Sequence, residues 1–93
     1  METTTVTLPD YSKMSLSQIA CCIGADWKKA KGGIYFGAKP YIDAMATLHS
    51  IKDNYIADSG SSIVAYFLGN AATWRGEVAK AVKKELNKRL KEN

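Results

Sequence analysis

Apolar residues recur at helical spacing in several stretches of the chain. Ile63, Val64, Phe67, Leu68 and Ala71 step at i, i+1, i+4, i+5 and i+8, which marks one face of an α-helix and does not fit strand alternation. Asp58 or Ser59 can cap its start, because a short oxygen-bearing side chain accepts from the free N–H groups of the first turn. A second series follows in Trp74, Val78, Val82, Leu86 and Leu90, with Ala79 beside it. One unbroken helix from Asp58 to Leu90 would run roughly 50 Å at ~1.5 Å per residue, too long for a domain whose radius of gyration should be about 13 Å. A break is therefore expected, at Gly69-Asn70 or within Thr73-Trp74-Arg75-Gly76. Thr73 is the candidate cap for the last helix, expected over Trp74 to Leu90, and Trp74 the residue that bridges the corner. The cluster of Tyr66, Phe67 and Trp74 reads as core packing.

Upstream, Leu16, Ile19, Ala20, Ile23, Trp27 and Ala30 lie along one face. Ser15 and Gln18 have the spacing of a capping box, and Met14 can pack on Ile19 as a hydrophobic staple. Lys28, Lys29 and Lys31 then fall in the last turn, where cations suit the helix dipole, and Gly32-Gly33 can supply a left-handed cap. The same region has a second reading as a helix-turn-helix. Leu16 to Gly24 would be its first helix and turn, and Ala25 to Ala30 the start of a recognition helix. Pro40 suits the first turn of a further helix, whose apolar face is Tyr41, Ile42, Met45, Leu48 and Ile51. His49 stands one position off that face and reads as structural. Lys52 to Asp58 is the reversing connection.

These elements predict an all-α fold, a small three- to four-helix bundle in a single domain. The domain is expected over 14–93, preceded by an extended N-terminal arm over 1–13, onto which Tyr11 can tuck. The expected core is Ile19, Ile23, Trp27, Met45, Leu48, Ile63, Phe67, Trp74, Val78 and Val82.

Composition narrows the picture. With 93 residues, 46% hydrophobic and 24% charged, the chain is an ordinary globular domain that buries roughly 60–65% of its unfolded surface. No apolar run approaches the ~20 residues of a membrane helix, so no membrane association is expected. Met1 to Pro9 lacks the basic and apolar regions of a signal peptide, and a cytoplasmic protein is the expectation. Cys21 and Cys22 are adjacent and poorly placed for a mutual disulfide. They read as reduced thiols, one of them partly buried.

Candidate chemistry is sparse. With no C-x-x-C and one histidine, no metal site is expected, and Gly32 to Ala38 lacks the spacing and the Lys-Ser/Thr of a phosphate loop. No nucleophile–base pair stands out and the carboxylates are scattered, so neither a cofactor nor an enzymatic role is expected. Net charge is +4 and the isoelectric point about 9.1, which permits contact with nucleic acid without demanding it.

The candidate contact residues are therefore basic and aromatic. Lys28, Lys29 and Lys31 are one group. Tyr35 and Phe36 plug the core between helices or, if exposed, offer a partner an apolar contact. Arg75 stands at the corner. Lys80, Lys83, Lys84, Lys88 and Lys91 share the outer face of the last helix. Glu85 and Arg89 form an i, i+4 pair of the stabilising order.

Three segments carry a resemblance: Phe36-Gly-Ala-Lys-Pro-Tyr-Ile-Asp-Ala-Met45, Asp58-Ser-Gly-Ser-Ser-Ile-Val-Ala-Tyr-Phe-Leu68, and Asn70-Ala-Ala-Thr-Trp-Arg-Gly76 with the following Lys83-Lys-Glu-Leu-Asn87. Together they resemble a group of small uncharacterised helical proteins encoded by bacteriophages, prophages and mobile elements, over most of residues 14–90. Ala30-Lys-Gly-Gly-Ile34 is glycine-rich for that group. The resemblance assigns no residue a role. It implies a setting, the bacterial host cytoplasm, where small phage accessory proteins act as stoichiometric binders, including inhibitors of host defence such as anti-CRISPR proteins. Three functions are weighed. The first is a stoichiometric binder of a bacterial protein or protein–nucleic-acid complex. The second is a basic nucleic-acid-binding or transcriptional regulator. The third is a module that forms a homodimer through a Tyr35–Phe36 edge.

Overall fold

The computed structural model describes residues 8–92. A short 3-10 turn, Tyr11–Lys13, precedes α1, Leu16–Trp27; α2, Lys39–Met45, follows a long link. Two short strands, β1 at Asn54–Tyr55 and β2 at Asp58–Ser59, lead into α3, Gly60–Gly69, and the chain ends in α4, Glu77–Glu92. Of the described residues 56% are helical, with a small antiparallel hairpin, so the expectation of a purely all-α bundle is corrected by the strands. Asn54 pairs with Ser59 and Tyr55 with Asp58. Strands of two residues are too short to show an alternating pattern, which is why the hairpin reads as plain connection in the sequence. Among the described residues no helix is long and apolar enough to cross a membrane.

Local chemistry explains most helix ends. Ser15 caps α1 by accepting from the Gln18 N–H at 3.2 Å, while the Gln18 side chain accepts from the Ser15 N–H at 2.8 Å. Two orphan donors are satisfied reciprocally. The N–H groups of Leu16 and Ser17 go to the carbonyls of His49 and Leu48 at 2.9 and 2.8 Å, which fastens the start of α1 to the chain leaving α2. Ser59, not Asp58, caps α3 by accepting from the Ser62 N–H. Pro40 sits in the first turn of α2 as expected.

Four boundaries differ from the sequence reading. α2 ends at Met45, so Leu48 and Ile51 of its expected apolar face lie beyond it. α1 runs through Gly24 without a turn, so neither the expected turn nor a separate recognition helix from Ala25 forms. It stops at Trp27, and Lys28, Lys29 and Lys31 lie beyond it, in turns closed by Lys29 N–H to Asp26 O and Ala30 N–H to Trp27 O. α4 begins at Glu77; the chain from Asn70 to Gly76 is non-helical, and Gly76, at φ +113°, accepts from the Lys80 N–H. The break expected between the last two helices therefore spans both candidate sites. At the N-terminus, the end of the expected arm is not extended. Asp10 caps the 3-10 turn by accepting from the Ser12 N–H, and Tyr11 is buried. The arm's first seven residues lie outside the described residues.

The core joins all four helices: Leu16, Ile19, Ile23 and Trp27 of α1, Met45 of α2, Val64 and Phe67 of α3, and Val82 and Leu86 of α4 are all buried. Of the expected core, only Val78 stays half-buried. Trp27 and Trp74 stack with centroids 5.7 Å apart and planes 15° apart, and Phe67 meets both edge-on at 6.3 and 6.2 Å. Such ring pairs add about 0.5–1.5 kcal/mol each beyond the area they bury. Tyr66 is not part of this cluster. It is half-exposed and rests against Tyr41 at 5.6 Å.

Candidate functional site

The long link between α1 and α2 carries the first group of candidate residues. Lys28, Lys29 and Lys31 are exposed. Gly32 and Gly33 both take positive φ, +88° and +68°, where glycine avoids the steric cost a side chain would meet. The reversal they make delivers Tyr35 and Phe36 to the surface. Phe36 is 81% exposed and Tyr35 43%, with ring centroids 5.0 Å apart. The pair therefore does not plug the core. Behind it the chain turns tightly: Ala38 N–H reaches Tyr35 O at 2.9 Å, and Gly37 lies against the Tyr35 ring and the Asn70 side chain. Tyr35 and the Gly69-Asn70-Ala72-Thr73 corner line a depression of about 260 Å³. From Lys28 to Ile42 the sequence holds four lysines and no acid; Lys39 makes an exposed 3.6 Å ion pair with Asp43.

α4 carries the second group. Lys80, Lys84, Lys88 and Lys91 are exposed. Lys83 is the exception. Its Nζ donates to the Trp74 carbonyl at 2.7 Å and lies 6.0 Å from the centre of the Trp74 ring. Burial, and secondarily the charge of Arg75, push its ammonium pKa down. Lys83 is thus a packing residue, and its place among the outward lysines of the helical wheel is corrected: its Nζ folds back onto Trp74. Arg75 is exposed and shares a depression of about 410 Å³ with Lys80. At the other end, Lys84, Lys88 and Lys91 border a second one of about 370 Å³.

Arg89 is the other cation turned inward. It pairs with Glu85 at 2.6 Å, both largely buried, and its guanidinium also donates to the carbonyls of Tyr11 and Met14 at 2.8 and 2.7 Å. The i, i+4 pair expected from the sequence is present and anchors the N-terminal turn as well.

His49 is exposed, and its backbone N–H donates to the Asp53 carboxylate at 2.9 Å. Cys21 and Cys22 are free thiols. Cys22 is half-buried beside Met14, sulfur to sulfur 3.9 Å, and burial pushes its thiol pKa up, away from the reactive thiolate. Among the described residues no group of three or more His, Cys, Asp or Glu side chains is placed to hold a metal ion.

One exposed residue escaped the sequence reading. Ile56 is 88% exposed at the tip of the hairpin, with φ +57°, a left-handed backbone that is rare for a β-branched residue. A two-residue turn of Ile-Ala carries none of the Gly or Asn signals that announce such geometry.

No protein-family model, no curated protein and no solved structure matches this chain.

Proposed function

We propose that the protein acts by stoichiometric binding to a partner protein, through the lysine-rich link that presents Phe36 and Tyr35. One observation carries the reading: a phenyl ring 81% exposed, braced by a neighbouring tyrosine, on the link between α1 and α2. Large aromatic side chains supply much of the binding energy at protein interfaces when they enter a pocket. The three lysines of the link, Lys28, Lys29 and Lys31, favour a partner whose pocket has an acidic rim, because charge complementarity steers encounter and sets orientation. The phage-like setting makes a bacterial protein the partner class, and inhibition of a host defence complex, in the manner of anti-CRISPR proteins, the biological outcome. This is a binding role, not a catalytic one.

The test is capture from nuclease-treated bacterial lysate with immobilised wild-type protein and, in parallel, Phe36→Ser and Lys29→Glu. The expected result is one protein retained in near-equal molar amount by the wild type, lost with Phe36→Ser and weakened with Lys29→Glu. Equal retention by all three would overturn the reading.

A further inference from the structure

The exposed lysines of α4 are a separate matter from the aromatic link. The helix divides its cations by task. Arg89 and Lys83 turn inward and satisfy backbone carbonyls. Lys80, Lys84, Lys88 and Lys91 remain exposed. The first three stand four residues apart, so they form a row on one side of the helix with about 6 Å between successive positions, and Arg75 extends the row past its start. Glu85, beside the middle of this row, is held by Arg89. Of the other acids, Glu77 and Glu92 lie at the two ends, and Asp10 shares a depression with Lys84 and Lys88. The apolar side of α4 is spent on the core through Ala79, Val82 and Leu86.

We propose that this row binds the sugar–phosphate backbone of duplex nucleic acid, without base recognition. A duplex carries one charge per ~1.7 Å of axis and holds condensed counterions that a row of lysines displaces on binding. Single-stranded platforms add aromatic rings that stack on bases; the row has none, so its affinity comes from phosphate contacts alone. Neither Phe36 nor Tyr35 belongs to this surface.

The experiment is fluorescence anisotropy of a labelled 24-base-pair DNA duplex, titrated with the whole chain from 50 to 200 mM KCl. About four lysine–phosphate contacts give a slope of log K against log salt near −3.6, hence roughly a hundred-fold loss of affinity over that range. The paired reversals K84E/K88E and K80E/K91E should each lower affinity at 50 mM KCl at least ten-fold and flatten the slope by about two. These side chains are exposed, so thermal melts followed by circular dichroism should match the wild type; if one pair fails to fold, the other still decides. F36S should bind duplex as the wild type does, which separates this proposal from the protein-binding one. No anisotropy change at 50 mM KCl would overturn it. So would wild-type binding by both reversal pairs, or tighter binding to a single strand of equal length that F36S abolishes.

Discussion

The indole N–H of Trp74 donates to the Asp26 carboxylate at 2.9 Å across 48 residues of sequence. With Trp27 stacked flat on the same ring, this bond fixes the corner between α3 and α4 against the last turn of α1. Asp26→Leu would leave a buried indole donor without its acceptor, a loss of about 1–3 kcal/mol. Asp26→Asn, which keeps a carbonyl oxygen in place, should lose less. Urea denaturation followed by tryptophan fluorescence measures both, and equal stability of Asp26→Leu and the wild type would mean the bond contributes nothing.

Arg89 holds the N-terminal turn by charge-assisted bonds to two carbonyls and an ion pair with Glu85. Arg89→Ala should cost about 2–3 kcal/mol, on the scale of hydrogen bonds to charged groups. Arg89→Lys should recover only part of it, because an ammonium lacks the planar fork that reaches several acceptors at once. Hydrogen exchange should speed up around Tyr11 to Met14 in both variants. Unchanged protection there would show that the turn does not depend on Arg89.

Two positions, one at the start of α3 and one at the hairpin tip, should respond with opposite sign. A Cβ at Gly60 would stand 2.8 Å from the backbone of Ile51, and backbone cannot yield as a flexible side chain does. Gly60→Ala should destabilise by about 1–3 kcal/mol, as overpacking does. At the tip, Ile56→Gly relieves a left-handed conformation that costs an L-residue roughly 1–2 kcal/mol. Glycine's greater unfolded-state entropy offsets part of that gain, so a modest rise in melting temperature is expected. A fall would show that the Ile56 side chain contributes contacts.

Acid should loosen the chain between α2 and β1. The Asp53 carboxylate accepts from the backbone N–H groups of Ser50 and His49, and these bonds hold its pKa below the ordinary carboxylate range. Because the folded pKa is the lower one, the stabilisation is complete above about pH 4, the ordinary aspartate value, and is lost as pH falls through the folded pKa. Asp10, lowered by its bonds to Ser12, acts in the same window. Asp53→Asn should therefore flatten the pH dependence of stability below pH 4. An unaltered acid transition in that variant would rule out Asp53 as a contributor.

Where the physics is local, residues a few positions apart carried it. The Ser15–Gln18 capping box, the Ser59 cap, Pro40 at the start of α2, the Glu85–Arg89 pair and the apolar faces through Ile23, Phe67 and Val82 all follow from helical spacing and short-range hydrogen bonding. Exposure of Lys28, Lys29, Lys31, Lys80, Lys84 and Lys88 follows from the same patterning, although the helix that was to carry the first three ends before them. The tertiary structure alone decided what depends on partners distant in sequence. Phe36 turns outward because the Gly32-Gly33 reversal precedes it, and the inner space is filled by Trp27, Phe67 and Trp74. Lys83 turns inward because a carbonyl freed by the broken helix needs a donor. Arg89 does more than pair with Glu85 because Tyr11 and Met14 pass within its reach. Ile56 takes a left-handed backbone at the tip of the hairpin, where nothing in its own residue type favours one. A periodicity reports which side of an element faces inward; it holds no information about which side chain from elsewhere in the chain meets it there.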